Sequence, residues 1–378
     1  MFRRLPFAFM MGITAVAVAH GAGDRKGMTT EQHLLENGWW PRSTDVPRSD
    51  YVGANVCGRC HSDLLSTQRF HAMAHTSMPA IDAEAAQRAR GFSIGSFQYS
   101  ITPLSGSVNY TVSAGHSSIT APLLWAFGSG GHGQTFLFSL EGAWYETHIS
   151  FFRGFGMGVT PGETTAVPAS LADALGKKVP MSELENCFGC HATGAVTNNG
   201  FDPAAAVLGI SCEGCHGPGL SHVAMASTAD PVRPGMIMNP ATLSPENSVD
   251  FCGSCHRTPW DVLELGMQGI QTVRFPAYRL EQSQCWGEGN SRITCVACHN
   301  PHKPLETTPS AYDAKCLACH VRSSTFVTTA DHPARGCSVA TGNCVRCHMP
   351  KYTLPQMHAA FTDHNIRVVR DRNDFPDR

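Results

Sequence analysis

Cys212-Glu213-Gly214-Cys215-His216 is one of seven copies of the pattern Cys-x-x-Cys-His, and this pattern dominates the chain. Fourteen of the 16 cysteines belong to it. We number the copies in chain order as motifs 1 to 7: Cys57/Cys60/His61, Cys187/Cys190/His191, Cys212/Cys215/His216, Cys252/Cys255/His256, Cys295/Cys298/His299, Cys316/Cys319/His320 and Cys344/Cys347/His348.

The pattern is the signature of covalent haem c attachment. Its two thiols form thioethers with the haem vinyl groups, and the histidine becomes the proximal iron ligand. Disulfides would not explain a histidine after every pair, and structural zinc has no need of histidine at that one position. The composition alone would give roughly 0.03 copies by chance. The sequence therefore predicts seven covalently attached haems.

Histidines outside the motifs are candidates for the sixth ligand of each iron. Seven of them have a favourable local context, such as a turn beside a motif: His71, His75, His222, His302, His332, His358 and His364. Three more lie in a strand-like stretch and are weaker candidates: His116, His132 and His148. His33 is predicted to be exposed to solvent.

Cys285 and Cys337 lie outside the motifs. Two spare thiols in an oxidising compartment usually pair, so the sequence predicts a disulfide between them.

The compartment is indicated by the first residues. Arg3 and Arg4 precede an apolar run over 5–19 that ends in Ala17-Val18-Ala19. This pattern is typical of a cleaved export signal, which we place at 1–22. The mature chain is therefore predicted to be periplasmic or extracellular, without a membrane span. A net charge of -2 gives no basic surface for nucleic acid.

The predicted fold is mainly α and loop-rich, with the haems as its core. An N-terminal segment over 23–90 holds motif 1 and a helix from Ser62 to about Arg90. A small antiparallel β insert follows over 91–165, with strands near 95–102, 108–112, 135–140 and 145–151. A six-haem region covers 166–378.

Several stretches resemble the cytochrome c-552/c-554 multihaem family, which is grouped with pentahaem nitrite reductase and octahaem hydroxylamine oxidoreductase. They are Tyr51-Val52-Gly53, residues 209–219, residues 294–302 and residues 344–351 with Phe361-Thr362-Asp363-His364. The resemblance implies distal ligand roles for His222, His302 and one tail histidine. It also assigns a β insert to 128–130, 145–146 and 160–162.

The chain departs from the enzymes of that group, so the resemblance does not carry over an activity. Every motif ends in His, whereas the nitrite reductases attach their catalytic haem through Cys-x-x-Cys-Lys. No tyrosine is identified as the crosslinked residue of the hydroxylamine oxidoreductases.

We therefore expect an electron-transfer protein rather than an enzyme. Its partners would be a quinol-oxidising membrane complex, another cytochrome or a terminal reductase. The alternative is an oxidoreductase that acts on a small nitrogen or sulfur compound at one five-coordinate haem.

Overall fold

The computed structural model describes residues 28–88, 91–227, 237–286, 293–320, 328–329, 332–333, 337, 339–369 and 375. The predicted export signal lies outside these residues. Within them, no helix combines the length and the apolar character needed to cross a bilayer.

A ten-stranded antiparallel sheet occupies the region after motif 1. Its order is β10-β7-β6-β5-β4-β3-β2, β1 pairs with β5, and β8 pairs with β6 and β9. The strands are β1 Ser77–Pro79, β2 Phe92–Ile94, β3 Phe97–Leu104, β4 Ser107–Ala114, β5 Ser117–Phe127, β6 Gly133–Leu140, β7 Ala143–Thr147, β8 Ile149–Phe152, β9 Gly156–Val159 and β10 Gly176–Val179.

Alternating side chains give this sheet two apolar faces. On β6, Phe136 and Phe138 join one buried cluster, whereas Leu137 between them joins another. Successive residues of a strand point to opposite faces, so both faces are covered. The turn from β6 to β7 consists of Glu141 and Gly142, and both have positive φ. A two-residue hairpin needs this backbone conformation to match the twist of the two strands.

The expectation of a mainly α fold with a small β insert is wrong. The sheet spans 77–179 and dominates the fold. The four predicted strands are present, but β5 is not evident in the sequence because Pro122 and a register shift at Leu123–Trp125 disguise its alternation. The helix expected from Ser62 instead ends at Gln68, and the chain turns into β1.

The rest of the described chain consists of short helices and two-stranded ribbons. The ribbon strands are β11 Ala192–Thr193, β12 Val196–Thr197, β13 Gly200–Phe201, β14 Val207–Leu208, β15 Thr328–Thr329, β16 His332–Pro333, β17 Lys351–Leu354 and β18 Ala359–Thr362. The helices are α1 Thr30–Leu34, α2 Ala54–Cys57, α3 Ser62–Gln68, α4 Glu84–Arg88, α5 Leu171–Leu175, α6 Met181–His191, α7 Cys212–His216, α8 Leu220–Ala226, α9 Pro245–His256, α10 Pro259–Glu264, α11 Pro276–Glu281, α12 Cys295–Cys298, α13 Asp313–Leu317 and α14 Cys344–His348.

The sheet is joined to the helical part through α6, which carries motif 2. Phe188 of α6 lies edge-on to Trp125 and Phe127 of β5, with ring centroids 5.7 Å and 5.0 Å apart. Phe127 also lies 5.2 Å from the ring of His191. Such edge-to-face aromatic pairs contribute about 0.5–1.5 kcal/mol each beyond the area they bury. The face of the sheet that contains Leu137 therefore packs against α6 and supports motif 2.

Candidate haem-attachment centres

Each motif lies on a short helix or at its end. Motifs 2 and 4 close α6 and α9, motifs 3 and 7 form α7 and α14, motif 5 forms α12 and its following residue, and motifs 1 and 6 overlap the ends of α2 and α13. Residues three apart on a helix share one face. The two thiols of a motif thus face the same side, and the histidine follows directly.

For four of the predicted attachment residues, we report the position within their own motif. His61 is exposed and directly precedes α3. The backbone N–H groups of Cys319 and His320 both donate to the Cys316 carbonyl, at 3.1 Å and 2.9 Å, so motif 6 continues as a turn beyond α13. Cys347 lies exposed on α14. The thioether roles of Cys319 and Cys347 and the ligand roles of His61 and His320 therefore stay predictions from the motif.

Motif 3 holds motif 1 through a buried carboxylate. Oε1 of Glu213 accepts hydrogen bonds from the backbone N–H groups of Val52 and Gly219, and Oε2 accepts one from Gly53, all at 2.8 Å. Val52 and Gly53 immediately precede α2, whose first N–H groups lack partners within the helix. An anionic acceptor there is favoured by the helix dipole. Burial, then the nearby Cys212 thiol, raises the pKa of Cys57 to about 11.

Motif 7 is held by motif 6 in the same way. The Asp313 carboxylate at the start of α13 accepts from the backbone N–H groups of Asn343, at 2.7 Å, and Cys344, at 2.9 Å. These two bonds lower the pKa of Asp313. Burial, then the bond to Asp313 and the nearby Cys316 thiol, raises the pKa of Cys344 to about 11.

Motif 4 contacts motif 2. The Cys190 Sγ lies 3.9 Å from the backbone oxygen of Ser254, which directly precedes Cys255 of motif 4. Arg42 bridges the two helices, donating to the Ser254 oxygen at 3.0 Å and to Oδ1 of Asn186 at 2.8 Å.

The environment of the thiols suits thioethers. Burial, then the nearby Glu146 and Glu183, raises the pKa of Cys187 to about 12. Burial likewise raises the pKa of Cys215 to about 11. A low-dielectric surrounding disfavours a thiolate, but it does not oppose an uncharged thioether. These residues therefore fit a covalently attached haem.

Several histidine rings are oriented for iron binding. Nδ1 donates to a backbone carbonyl in His191, His216 and His348, with acceptors on Thr76 at 3.1 Å, Met238 at 2.8 Å and Arg367 at 2.9 Å. A carbonyl only accepts, so the proton is on Nδ1 and the lone pair is on Nε2. This outer hydrogen bond is the usual way in which proteins fix a ligating imidazole.

Two motif histidines have a second histidine opposite them. The His216 and His302 rings are 6.0 Å apart between centroids and nearly parallel, at 9°. The His299 and His364 rings are 6.3 Å apart at 46°. A metal–imidazole bond is about 2 Å long, so two rings that share one metal ion have centroids roughly 6 Å apart. Both pairs have the spacing of two axial ligands of one iron.

His364 is held by a buried ion pair beside it. The Asp363 carboxylate accepts from Nε of Arg279 at 2.9 Å and from Nη2 at 3.0 Å, and both side chains are fully buried. It also accepts from Arg367 and from the Asn365 N–H. Burial, then the proximity of His299, lowers the pKa of His364 to about 4. The ring is therefore neutral, the form that binds metal.

The other distal candidates are in different surroundings. His71 is half-buried near His299 and His302, and its Nδ1 accepts from the Met73 N–H. His75 donates from Nε2 to the Arg69 carbonyl at 2.8 Å.

The remaining distal-ligand candidates are His222, His332 and His358. His222 lies on α8 and His332 on β16, where only the backbone is described. His358 stacks on Phe155, with centroids 3.7 Å apart. Of the seven candidates, the ring contacts bring His302 and His364 opposite a motif histidine.

His33 is not exposed as expected. It is 1% exposed, stacks on Trp40, and bonds Glu36 and Asp250 through its two nitrogens at 3.1 Å and 3.0 Å. Its two carboxylate partners lie three and 217 residues away, and only the nearer could have been noticed in the sequence. The Cys285–Cys337 disulfide stays a prediction.

Comparisons with known proteins agree with this chemistry. A family model described as cytochrome c554 and c-prime matches residues 164–217, which contain motifs 2 and 3. This match supports a multihaem c-type cytochrome family. Proteins of that kind bind haem c covalently.

A solved structure shares the fold of this chain. The crystal structure of outer cell wall cytochrome OcwA matches with a TM-score of 0.50 at 15% identity, covering 85% of this chain and 80% of that one. No curated protein matches this chain significantly.

Proposed function

We propose that this cytochrome is an exported electron-transfer protein with seven haems, most of them ligated by two histidines. The facing ring pairs His216/His302 and His299/His364 carry the proposal. In each pair, the first histidine belongs to a motif and the second does not.

The chain's own residues would supply both axial positions at these two centres. Bound haem c would supply a one-electron couple, and histidine at both axial positions would close the iron to substrates. The residues around the pairs favour the ligating state. The Met238 carbonyl keeps the lone pair of His216 on Nε2, and the bonds of Asp363 hold the segment that carries His364.

Exposed apolar side chains near the motifs are evidence for a large apolar cofactor. Val296 lies inside motif 5, Leu317 inside motif 6, and Leu64 and Phe70 follow motif 1, and all four are more than a third exposed. Large apolar groups gain by leaving water, and a porphyrin face offers them a surface to cover.

Location and partners are parts of the same proposal. The export signal predicted at 1–22 and the outer cell wall location for which OcwA is named both favour a place outside the cytoplasm. The partners would be redox proteins such as a quinol-oxidising complex, another cytochrome or a terminal reductase.

Electron paramagnetic resonance of the oxidised holoprotein tests the proposal. We expect seven haems by mass and low-spin ferric signals. His302→Ala and His364→Ala should each convert about one haem per protein to high spin, whereas His116→Ala, in an exposed turn before β5, should convert none.

Two results would count against this proposal. One is a stoichiometric high-spin signal in the unmodified protein that shifts with nitrite, hydroxylamine or sulfite, which would favour an oxidoreductase. The other is unchanged low-spin intensity in both histidine variants.

A further inference from the structure

A group of polar side chains lies inside the apolar core of the sheet and belongs to none of the seven motifs. Tyr99 of β3 and Tyr110 of β4 are 1% and 0% exposed, and both belong to the apolar cluster that contains Phe136 and Phe138. His148, between β7 and β8, is also 1% exposed. The proposed haem chemistry makes no use of these three side chains.

The two tyrosines are diagonal neighbours on one face of the sheet. In the register of β3 and β4, Tyr99 is opposite Val112 and Ile101 is opposite Tyr110. The centroids of the two tyrosine rings are 6.5 Å apart, with 24° between the ring planes. The His148 ring stacks 5.8 Å from Tyr99 at 14°. The three rings therefore form one aromatic group around Tyr99.

Glu163 is brought to these rings by the turn that follows β9. Its N–H donates to the Thr160 carbonyl, and the Thr160 N–H donates to the His148 carbonyl, both at 2.9 Å. Oε2 of Glu163 lies 3.5 Å from Nδ1 of His148, and the glutamate side chain is 14% exposed. Burial, then the charge of Glu163, raises the pKa of Tyr99 to about 12. We call these four side chains the core polar group: Tyr99, Tyr110, His148 and Glu163.

The core polar group contains most of the unsatisfied polar atoms in the described part of the chain. Five of the eight buried side-chain atoms without a hydrogen-bond partner there belong to it. They are both ring nitrogens of His148, the hydroxyls of Tyr99 and Tyr110, and Oε1 of Glu163. Buried polar atoms nearly always have a partner, because burial without one costs free energy. Five such atoms in one place therefore indicate a site for a bound species.

The spacing and the charges of the group fit a metal ion. Ligand nitrogen and oxygen atoms lie about 2.0–2.2 Å from a metal, so neighbouring ligands of one ion are roughly 3.0–3.5 Å apart. The 3.5 Å between His148 and Glu163 agrees with this spacing. One carboxylate and two phenolates carry three negative charges, which a ferric ion would cancel. The buried centre would then have no net charge, as the apolar surroundings require.

We propose that the core polar group binds one non-haem ferric ion inside the sheet. His148 binds it as a neutral imidazole, and Glu163 and the two tyrosines supply oxygen ligands. Two phenol O–H bonds break and two iron–oxygen bonds form, both protons pass to water, and the oxidation state of the iron does not change. Among the described residues, no three His, Cys, Asp or Glu side chains form a metal-binding group, so this site depends on its phenols.

Counting iron in the holoprotein tests the proposal. Protein with seven haems by mass is incubated with ferric citrate and desalted, and its haem iron is subtracted from its total iron. We expect about one further iron per chain, with a rhombic high-spin ferric resonance. Tyr99→Phe and Tyr110→Phe should lose both, whereas Tyr145→Phe, which removes a phenol of β7 outside the group, should keep both.

Three outcomes would overturn the ferric site. They are no further iron in the unmodified protein, another metal in its place, or equal iron in the unmodified protein and the two tyrosine variants. The rhombic resonance differs from the axial high-spin signal of a five-coordinate haem. Failure of this proposal is therefore distinguishable from failure of the proposed function.

Thermal unfolding gives a second measurement. Tyr99→Phe removes a hydroxyl that has no partner among the described residues, so the variant should fold. A bound ion stabilises only the folded state, so ferric citrate should raise the melting temperature of the unmodified protein and of Tyr145→Phe. It should leave Tyr99→Phe unchanged. An equal rise in all three proteins would show that iron binds elsewhere and would contradict the site.

Discussion

Replacing Glu213 by glutamine should loosen motif 1 while leaving Cys212, Cys215 and His216 of motif 3 unchanged. Glu213 is 1% exposed and accepts three backbone hydrogen bonds at 2.8 Å. A glutamine oxygen could still accept two of them, but the amide nitrogen would face the third N–H group, donor against donor. Hydrogen bonds to a charged acceptor contribute about 1.5–3 kcal/mol each, so one lost bond and two weakened ones should cost roughly 3 kcal/mol.

The assay is amide hydrogen exchange of the holoprotein, read on peptides that cover 52–57. A loss of about 3 kcal/mol in local opening free energy corresponds to exchange roughly a hundredfold faster in this segment. Glu264→Gln, an exposed carboxylate at the end of α10, is the matched control and should leave the segment unchanged. Equal protection of 52–57 in Glu213→Gln and the unmodified protein would refute the role given to this carboxylate.

Further predictions concern the polar contacts of Asp363, His33 and Tyr312. Asp363→Asn should destabilise the fold by about 3 kcal/mol, because it removes the carboxylate from the fully buried Arg279–Asp363 ion pair, and denaturant unfolding would measure the loss. Burial opposes the charge of Asp363, yet its hydrogen bonds from Arg279 hold its pKa below the ordinary value. The stability that the ionised carboxylate gives to the fold should therefore be present above the ordinary pKa of aspartate. It should be lost as pH falls through the lower pKa of the folded state. Burial also disfavours the charged form of His33, but its bonds to Asp250 and Glu36 raise its pKa. The stability that protonated His33 gives to the fold should therefore be complete below pH 6.5 and be lost as pH rises through the folded pKa. In the His33→Gln variant, a plot of melting temperature against pH should no longer show this pH-dependent stabilisation. Tyr312→Phe should alter the low-spin signal of motif 5 alone, since the hydroxyl that it removes lies beside His299; a change at several haems would contradict this.

The attachment residues could be predicted from the sequence because the chemistry is local. Two thiols and one imidazole within five residues suffice to mark a motif, and no distant contact is needed to recognise it. His302 is recognisable for a similar reason, since the Asn300 turn beside motif 5 is visible in sequence.

The contacts between motifs could not be predicted in this way. Glu213 occupies a variable position of its motif, and nothing nearby signals that its partners are Val52 and Gly53, 161 and 160 residues away. The same holds for Arg279 and Asp363, which are 84 residues apart. The size of the sheet exceeds the prediction because its added strands are short, glycine-rich or interrupted by proline, and they form through pairing rather than through their own pattern.

The bond between Glu213 and the start of α2 also bears on how the protein is made. Synthesis proceeds from the N-terminus, so motif 1 emerges long before the carboxylate that holds its helix. Closing so long a loop delays native contacts. Machinery that attached haem to Cys57 and Cys60 would therefore meet an open chain there, whereas Cys344 of motif 7 emerges only 31 residues after the Asp313 that secures it.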